Sequence, residues 1–331
     1  MTTNSPKWEA PQQDSPVIQW LLDSDPAIRW QVLRDLLEAP DEIVAAERAR
    51  VENEGWGAQL LALQGKDGQW EGAAMFPDRK FSSPDGVEIK GQPWNATAYS
   101  LVSLVDFGID PRTDRMRRGV ELVRQNCRWE HAGQRFFDGE VEPCINGMTV
   151  VLGVYFGQDV SAVVERLLGE QLADGGWNCE AEFGSVRSSF HTTIRVLEGL
   201  LAYERAFGGS SQAAAIRRRG EEYLLERNLF RRKSNGEVVN PAWLQFSFPT
   251  RWHYDVLRGM EYFRAVGSPP DPRLGEALAL LRSKQGADGR WLLENTHPGA
   301  VPFVMEDADG QPSRWNTLRA LRVLKWVSAG D

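Results

Sequence analysis

The sequence predicts an all-α protein folded as a single (α/α)6 toroid, a double ring of inner and outer helices. Three observations lead there. Apolar residues recur at helical spacing along the chain, a Q-x-x-D-G-x-W loop occurs three times, and an Arg-Trp-polar trio recurs at expected helix starts. Strand signals are scarce. The length of 331 residues allows two domains, but the repeats point to one.

The helices follow in order. Leu21, Leu22, Ile28, Val32, Leu33, Leu36 and Leu37 fall at helical spacing, as do Leu101, Leu104 and Val105. Val196, Leu197, Leu200 and Leu201 do the same, then Leu318, Leu321 and Leu324. Between them the loops repeat: Gln64, Asp67, Gly68 and Trp70; Gln171, Asp174, Gly175 and Trp177; Gln285, Asp288, Gly289 and Trp291. Gln ends an outer helix, Asp-Gly turns the chain, and Trp returns as a lid over the helix end. Inner helices are expected to open at Ile28, Trp94, Pro143, Ser189, Arg251 and Arg314. That makes six outer–inner pairs. An open solenoid needs polar terminal caps. The first and last units look like the others, which favours closure. Residues 1–15 read as a flexible tail and 16–331 as the toroid domain.

The 38 basic and 46 acidic residues give a net charge of −8, which does not suit non-specific nucleic-acid binding. No stretch of about 18 apolar residues is present, so no integral membrane span is expected. The N-terminus has neither a basic region nor an apolar core of the secretory kind. Cys127, Cys144 and Cys179 are an odd, sparse set that suits a reducing compartment. The expected location is the cytoplasm. Thirteen tryptophans against six tyrosines is an unusual ratio, and most of the excess belongs to the repeat.

The Q-x-x-D-G-x-W copies with their two-helix units resemble the QW repeats of squalene and oxidosqualene cyclases and of protein prenyltransferase β subunits, over roughly Trp20 to Val327. The resemblance implies the terpenoid cyclase/prenyltransferase toroid, with an isoprenoid-like small molecule in a central apolar cavity. It also leaves room for peripheral contact with a membrane surface. Prenyltransferase β subunits hold zinc with an Asp-x-Cys pair at one inner helix and a His at the next. The similar positions here are Glu142, Cys144 and His191, with Glu in place of Asp and Pro143 between. Thiolate, imidazole and carboxylate are ordinary Zn²⁺ ligands. Equally, Cys144 reads as a small buried hydrophobe. Cyclases that begin by protonation carry Asp-x-Asp-Asp-Thr-Ala. The nearest segment here is Trp94-Asn95-Ala96-Thr97-Ala98, which lacks the acids. Protein prenylation is not expected, because those β subunits work with a helical α subunit.

Parallel inner helices would gather their N-termini, with their unsatisfied N–H groups, at one mouth. The candidate catalytic residues there are His191, His253, Asp255, Asn95 and Asn316. Candidate substrate or anion contacts are Arg251, Arg314, Trp94, Trp252, Trp315 and Asn146, since Arg gives bidentate anion contacts and aromatic faces stabilise cations. The arginines could instead bridge loop acids such as Glu306. Two other functions fit the pattern: a non-catalytic lipid- or peptide-binding module, and a toroid enzyme on glycans or peptides using Asp255, Glu306 or Asp307.

Overall fold

The computed structural model describes residues 11–77 and 92–330. The expected tail therefore falls mostly outside the described residues. Helix accounts for 55% and strand for 4%, which makes the chain all-α. No helix among the described residues is long and apolar enough to cross a membrane.

Six helix pairs follow one another: α1 (Pro16–Leu22) with α2 (Pro26–Asp35), α4 (Gly55–Ala62) with α5 (Thr97–Phe107), α6 (Asp114–Asn126) with α7 (Pro143–Tyr155), α8 (Ser161–Gly169) with α9 (Phe190–Phe207), α10 (Ser211–Leu225) with α11 (Val256–Val266), and α12 (Gly275–Ser283) with α13 (Arg314–Gly330). An additional helix, α3 (Asp41–Ala49), lies between the first two pairs. Side-chain caps set several starts: Asp25 accepts from Ala27 N, Ser189 from Thr192 N, and Asp255 from Arg258 N. Gly108, Gly208 and Gly267 end α5, α9 and α11 in the left-handed conformation that relieves the last carbonyls.

Two expected starts shift. Trp94 and Asn95 precede α5, and Arg251, Trp252 and His253 precede α11. Arg251 has φ +54, which no α-helix accommodates, and the helix waits for the Asp255 cap.

The first helices bury one stripe, while the second helices are buried almost throughout, as in α7 and α9. The second helices touch in the order α2, α5, α7, α9, α11, α13, and α13 touches α2. The tightest approach is α7 to α9. A Cβ on Gly147 would lie 2.5 Å from the Arg195 carbonyl oxygen, so only glycine fits.

The three tryptophan loops are built alike. The indoles of Trp70, Trp177 and Trp291 donate to the carbonyls of Leu60, Leu167 and Leu281, each at 2.8 Å. Their backbone N–H groups donate to Thr97, Thr193 and Thr317 Oγ1 at 3.1, 3.0 and 3.0 Å. One residue thus ties the end of a first helix to the start of its second. The turn glycine of each loop faces the first helix of another pair. Gly68 packs on Leu122 of α6, Gly175 on Arg219 of α10, and Gly289 on Val17 of α1. The last pair is joined to the first a second time by Arg314, which donates to Asp23 O at 2.9 Å, and by Arg322, which donates to Gln31 and pairs with Asp35.

Candidate functional site

All six second helices line one cavity of about 400 Å³. They contribute Gln31, Asp106, Val151, Arg195, Glu198, Arg258, Glu261, Arg319 and Arg322, among others, and the loop before α11 adds Phe248 to Arg251. Where the sequence suggests an apolar centre, this cavity is rich in arginine.

Most of these charges are paired. Glu198 accepts from Arg258 Nε and Nη2, both at 2.7 Å, and from Arg195 Nη1 at 3.0 Å. Glu261 accepts from Arg319 Nε at 2.7 Å. Burial alone raises a carboxyl's pKa. At Glu198 the Arg258 and Arg195 charges outweigh burial and hold it below its usual value. Glu261 is held low in the same way by Arg319.

Two charged groups stand apart. Arg251 is only 5% exposed, and among the described residues no hydrogen bond or ion pair reaches its guanidinium. It lies 5.4 Å above the Trp94 ring. Burial pushes its pKa down to about 10. Its backbone oxygen accepts from Arg195 Nη2, which helps hold the left-handed conformation. Asp106, in the last turn of α5, also has a carboxylate without a hydrogen-bond partner among the described residues, and burial pushes its pKa up to about 6.

A second pocket of about 320 Å³ adjoins the first and shares Phe248, Pro249 and Arg251 with it. Its walls are largely apolar: Leu293, Val301, Phe303, Val304 and Met305, with His297 and Glu306 among them. Burial raises the Glu306 pKa to about 7. Arg251 therefore stands where a charged cavity meets an apolar one.

Three histidines gather nearby. His253 stacks on Trp252 at 3.7 Å and on His297 at 3.6 Å, and the His191 ring lies 6.1 Å from His253. Burial lowers their pKa values to about 3 for His253 and about 4 for His191 and His297, so all three are neutral at pH 7. His297 Nε2 is 3.2 Å from Ser247 Oγ, which donates to Asp255 at 2.9 Å.

The zinc set expected from the sequence does not assemble as expected. His191 Nδ1 accepts from Tyr254 N at 2.8 Å, and the ring faces Trp243 and Trp252. Glu142 and Cys144 instead meet Cys179, with one ligand atom from each lying within 4.8 Å of the others. Cys144 Sγ donates to Glu142 Oε2 at 3.4 Å. Contact with Cys179, then burial, raises the Cys144 thiol pKa well above its usual value. A metal ion could be held by this cluster.

Several candidates serve the fold instead. Asn146 Oδ1 accepts from Glu140 N and its amide donates to Glu140 O. The Asn316 amide donates to Phe246 O and Leu292 O. Asp255 caps α11. Arg314 is engaged with the end of α1 rather than with either pocket lined by Arg251. Trp94 Nε1 donates to Pro298 O at 3.0 Å, and Trp252 Nε1 donates to Gln92 Oε1 at 2.8 Å. Trp315 stacks on Phe248 at 4.2 Å and lines the central cavity. Asn95 Oδ1 is buried without a hydrogen-bond partner among the described residues, outside the cavity lining.

Sequence reasoning missed Asp106, Glu198, Arg258, Glu261, Arg319, Arg322, His297 and Cys179. A usable signal exists for some. Arg195/Glu198, Arg258/Glu261 and Arg319/Arg322 each stand three apart on one helix, within its apolar stretch. Neither the protein-family models nor the curated proteins searched contain a match to this chain.

Proposed function

We propose that the six helix pairs close as an (α/α)6 toroid of the squalene cyclase/prenyltransferase-like kind. It takes an isoprenoid-like molecule with an anionic head, the head in the central cavity and the chain in the adjoining apolar pocket. The return of α13 to α2, and of Gly289 to Val17, supports closure. The observation that carries the ligand is Arg251, a buried cation with no hydrogen bond or ion pair to its guanidinium among the described residues, on the boundary of both pockets. A buried charge left unpaired is costly, and an anion arriving there recovers that cost. The segment from Trp94 to Ala98 has no acid to protonate an alkene, so triterpene-type initiation there is not part of the reading.

Calorimetry with geranyl diphosphate and decyl phosphate tests it. The wild type should bind both, and Arg251→Gln should weaken both by about tenfold or more, the scale of one charge-assisted hydrogen bond. Failure of the wild type to bind either probe removes the reading.

Zinc assistance belongs to the same proposal. Glu142, Cys144 and Cys179 would hold Zn²⁺ with a fourth position open, and the ion would supply Lewis acidity there. Purified protein should then carry about one zinc per chain. Cys144→Ala and Cys179→Ala should lose it, while His191→Ala should keep it. Elemental analysis decides the matter, and zinc-free wild type excludes the ion.

A further inference from the structure

The buried arginines of the central cavity divide cleanly. Arg195 and Arg258 share Glu198, Arg319 is held by Glu261, and Arg322 by Asp35. Among the buried or half-buried charged groups in the lining, Arg251 and Asp106 alone lack a hydrogen bond or ion pair to a described residue. They are opposite in sign, face one cavity, and sense each other electrostatically without touching. A simple anion on Arg251 would leave Asp106 desolvated and place a second negative charge near it. A simple cation on Asp106 would leave Arg251 in the same position. A dipolar group satisfies both at once.

We propose that the cavity selects a dipolar head group, its anion seated on Arg251 and its ammonium donating to Asp106. This rests on the reading above and narrows it, from an anionic head to one with an N–H cation beside the anion. An aminoalkyl phosphodiester and an α-amino carboxylate share that chemistry, and apolar-tailed versions of each can be compared.

The test uses matched pairs below their micelle concentrations: hexanoyl lysophosphatidylethanolamine against lysophosphatidylethanol, and 2-aminooctanoic against octanoic acid. In each pair only the ammonium differs. At pH 7.5 the wild type should prefer the ammonium member by about tenfold in at least one pair, and the preferred pair identifies the source. Asp106→Asn should bind both members of that pair equally.

A wild-type readout guards against misfolding of that variant. Asp106 faces Arg195 and Glu198 from α9, Arg251 from the loop before α11, Arg258 from α11 and Arg319 from α13. Of these, Asp106 has its pKa raised into the range tested, while the phosphodiester pair keeps its charges from pH 5 to 8. The preference within that pair should therefore shrink as pH falls through about 6, where Asp106 gains its proton. Equal binding within both pairs overturns the dipolar inference and leaves the anionic reading standing. A preference that survives Asp106→Asn, or one unchanged between pH 8 and 5, also overturns it. No binding by any of the four probes overturns the dipolar inference, and the titrations with geranyl diphosphate and decyl phosphate then decide the anionic reading.

Discussion

Trp177→Ala is expected to destabilise the protein by about 3–5 kcal/mol, seen as a lower urea midpoint at an unchanged slope. The side chain is fully buried and packs against Gly220 of α10, where an added Cβ would come within 2.8 Å of the ring. Truncation opens a cavity that this close-set backbone cannot collapse to fill. It also removes the shorter of two donors to the Leu167 carbonyl, the indole N–H at 2.8 Å, and leaves only the Glu170 N–H at 3.3 Å. Trp177→Phe separates the two effects. It keeps most of the ring and loses the hydrogen bond, so about 1–2 kcal/mol is expected. Because Trp70 and Trp291 make the same bonds, their alanine variants should behave alike. A loss below about 1 kcal/mol at all three sites would show that the loops are not structural ties.

Glu198→Gln should cost about 3 kcal/mol, the lower end for breaking a buried ion pair. One carboxylate serves two guanidiniums, and Arg258 grips both of its oxygens. The amide keeps the shape but leaves two cations facing each other across the cavity. The sign of the pH dependence follows. The Glu198 pKa in the folded protein lies below the unfolded value of 4.5. Its stabilisation is therefore complete above about pH 4.5 and is lost as pH falls through the folded pKa. The gap between wild type and variant should stay constant from pH 5.5 to 8 and close below 4.5. Denaturant titrations at pH 7 and pH 4 read it directly, and a gap that widens in acid would contradict the assignment.

The loops were the most legible part of the fold. Trp in a spacing with Gln and Asp-Gly marks a turn that only a few local structures satisfy, and Gly68, Gly175 and Gly289 all adopt positive φ. Their threonine partners were invisible, because Thr97, Thr193 and Thr317 lie 27, 16 and 26 residues beyond their tryptophans. A loop of variable length hides such a pairing. Arg251-Trp252-His253 resembled a helix start because its composition matches Arg314-Trp315-Asn316, which does begin α13. Backbone sign at Arg251 is not written in composition.

The site divided similarly. Arg251 could be singled out as an anion contact, but nothing local shows that, among the described residues, it alone of the buried arginines has no hydrogen bond or ion pair to its guanidinium. That depends on which acids four other helices bring inward. Cys179 took the place expected for His191 because the turn after Trp177 carries it back to Cys144, while Tyr254 N captures the histidine.

Arg322 and Gln31 are 291 residues apart, and their contact joins the last second helix to the first. Such a contact bears on the order of events in folding. Local pairs can form early, three of them stitched by a loop tryptophan, but the contact of α13 with α2 waits until α13 is available. Long-range closure carries a loop-entropy cost before it returns any stabilisation, which slows the final step. Until then α2 and α11 expose the faces that α13 will cover. During synthesis a chain that has not yet added α13 therefore presents these apolar faces to aggregation.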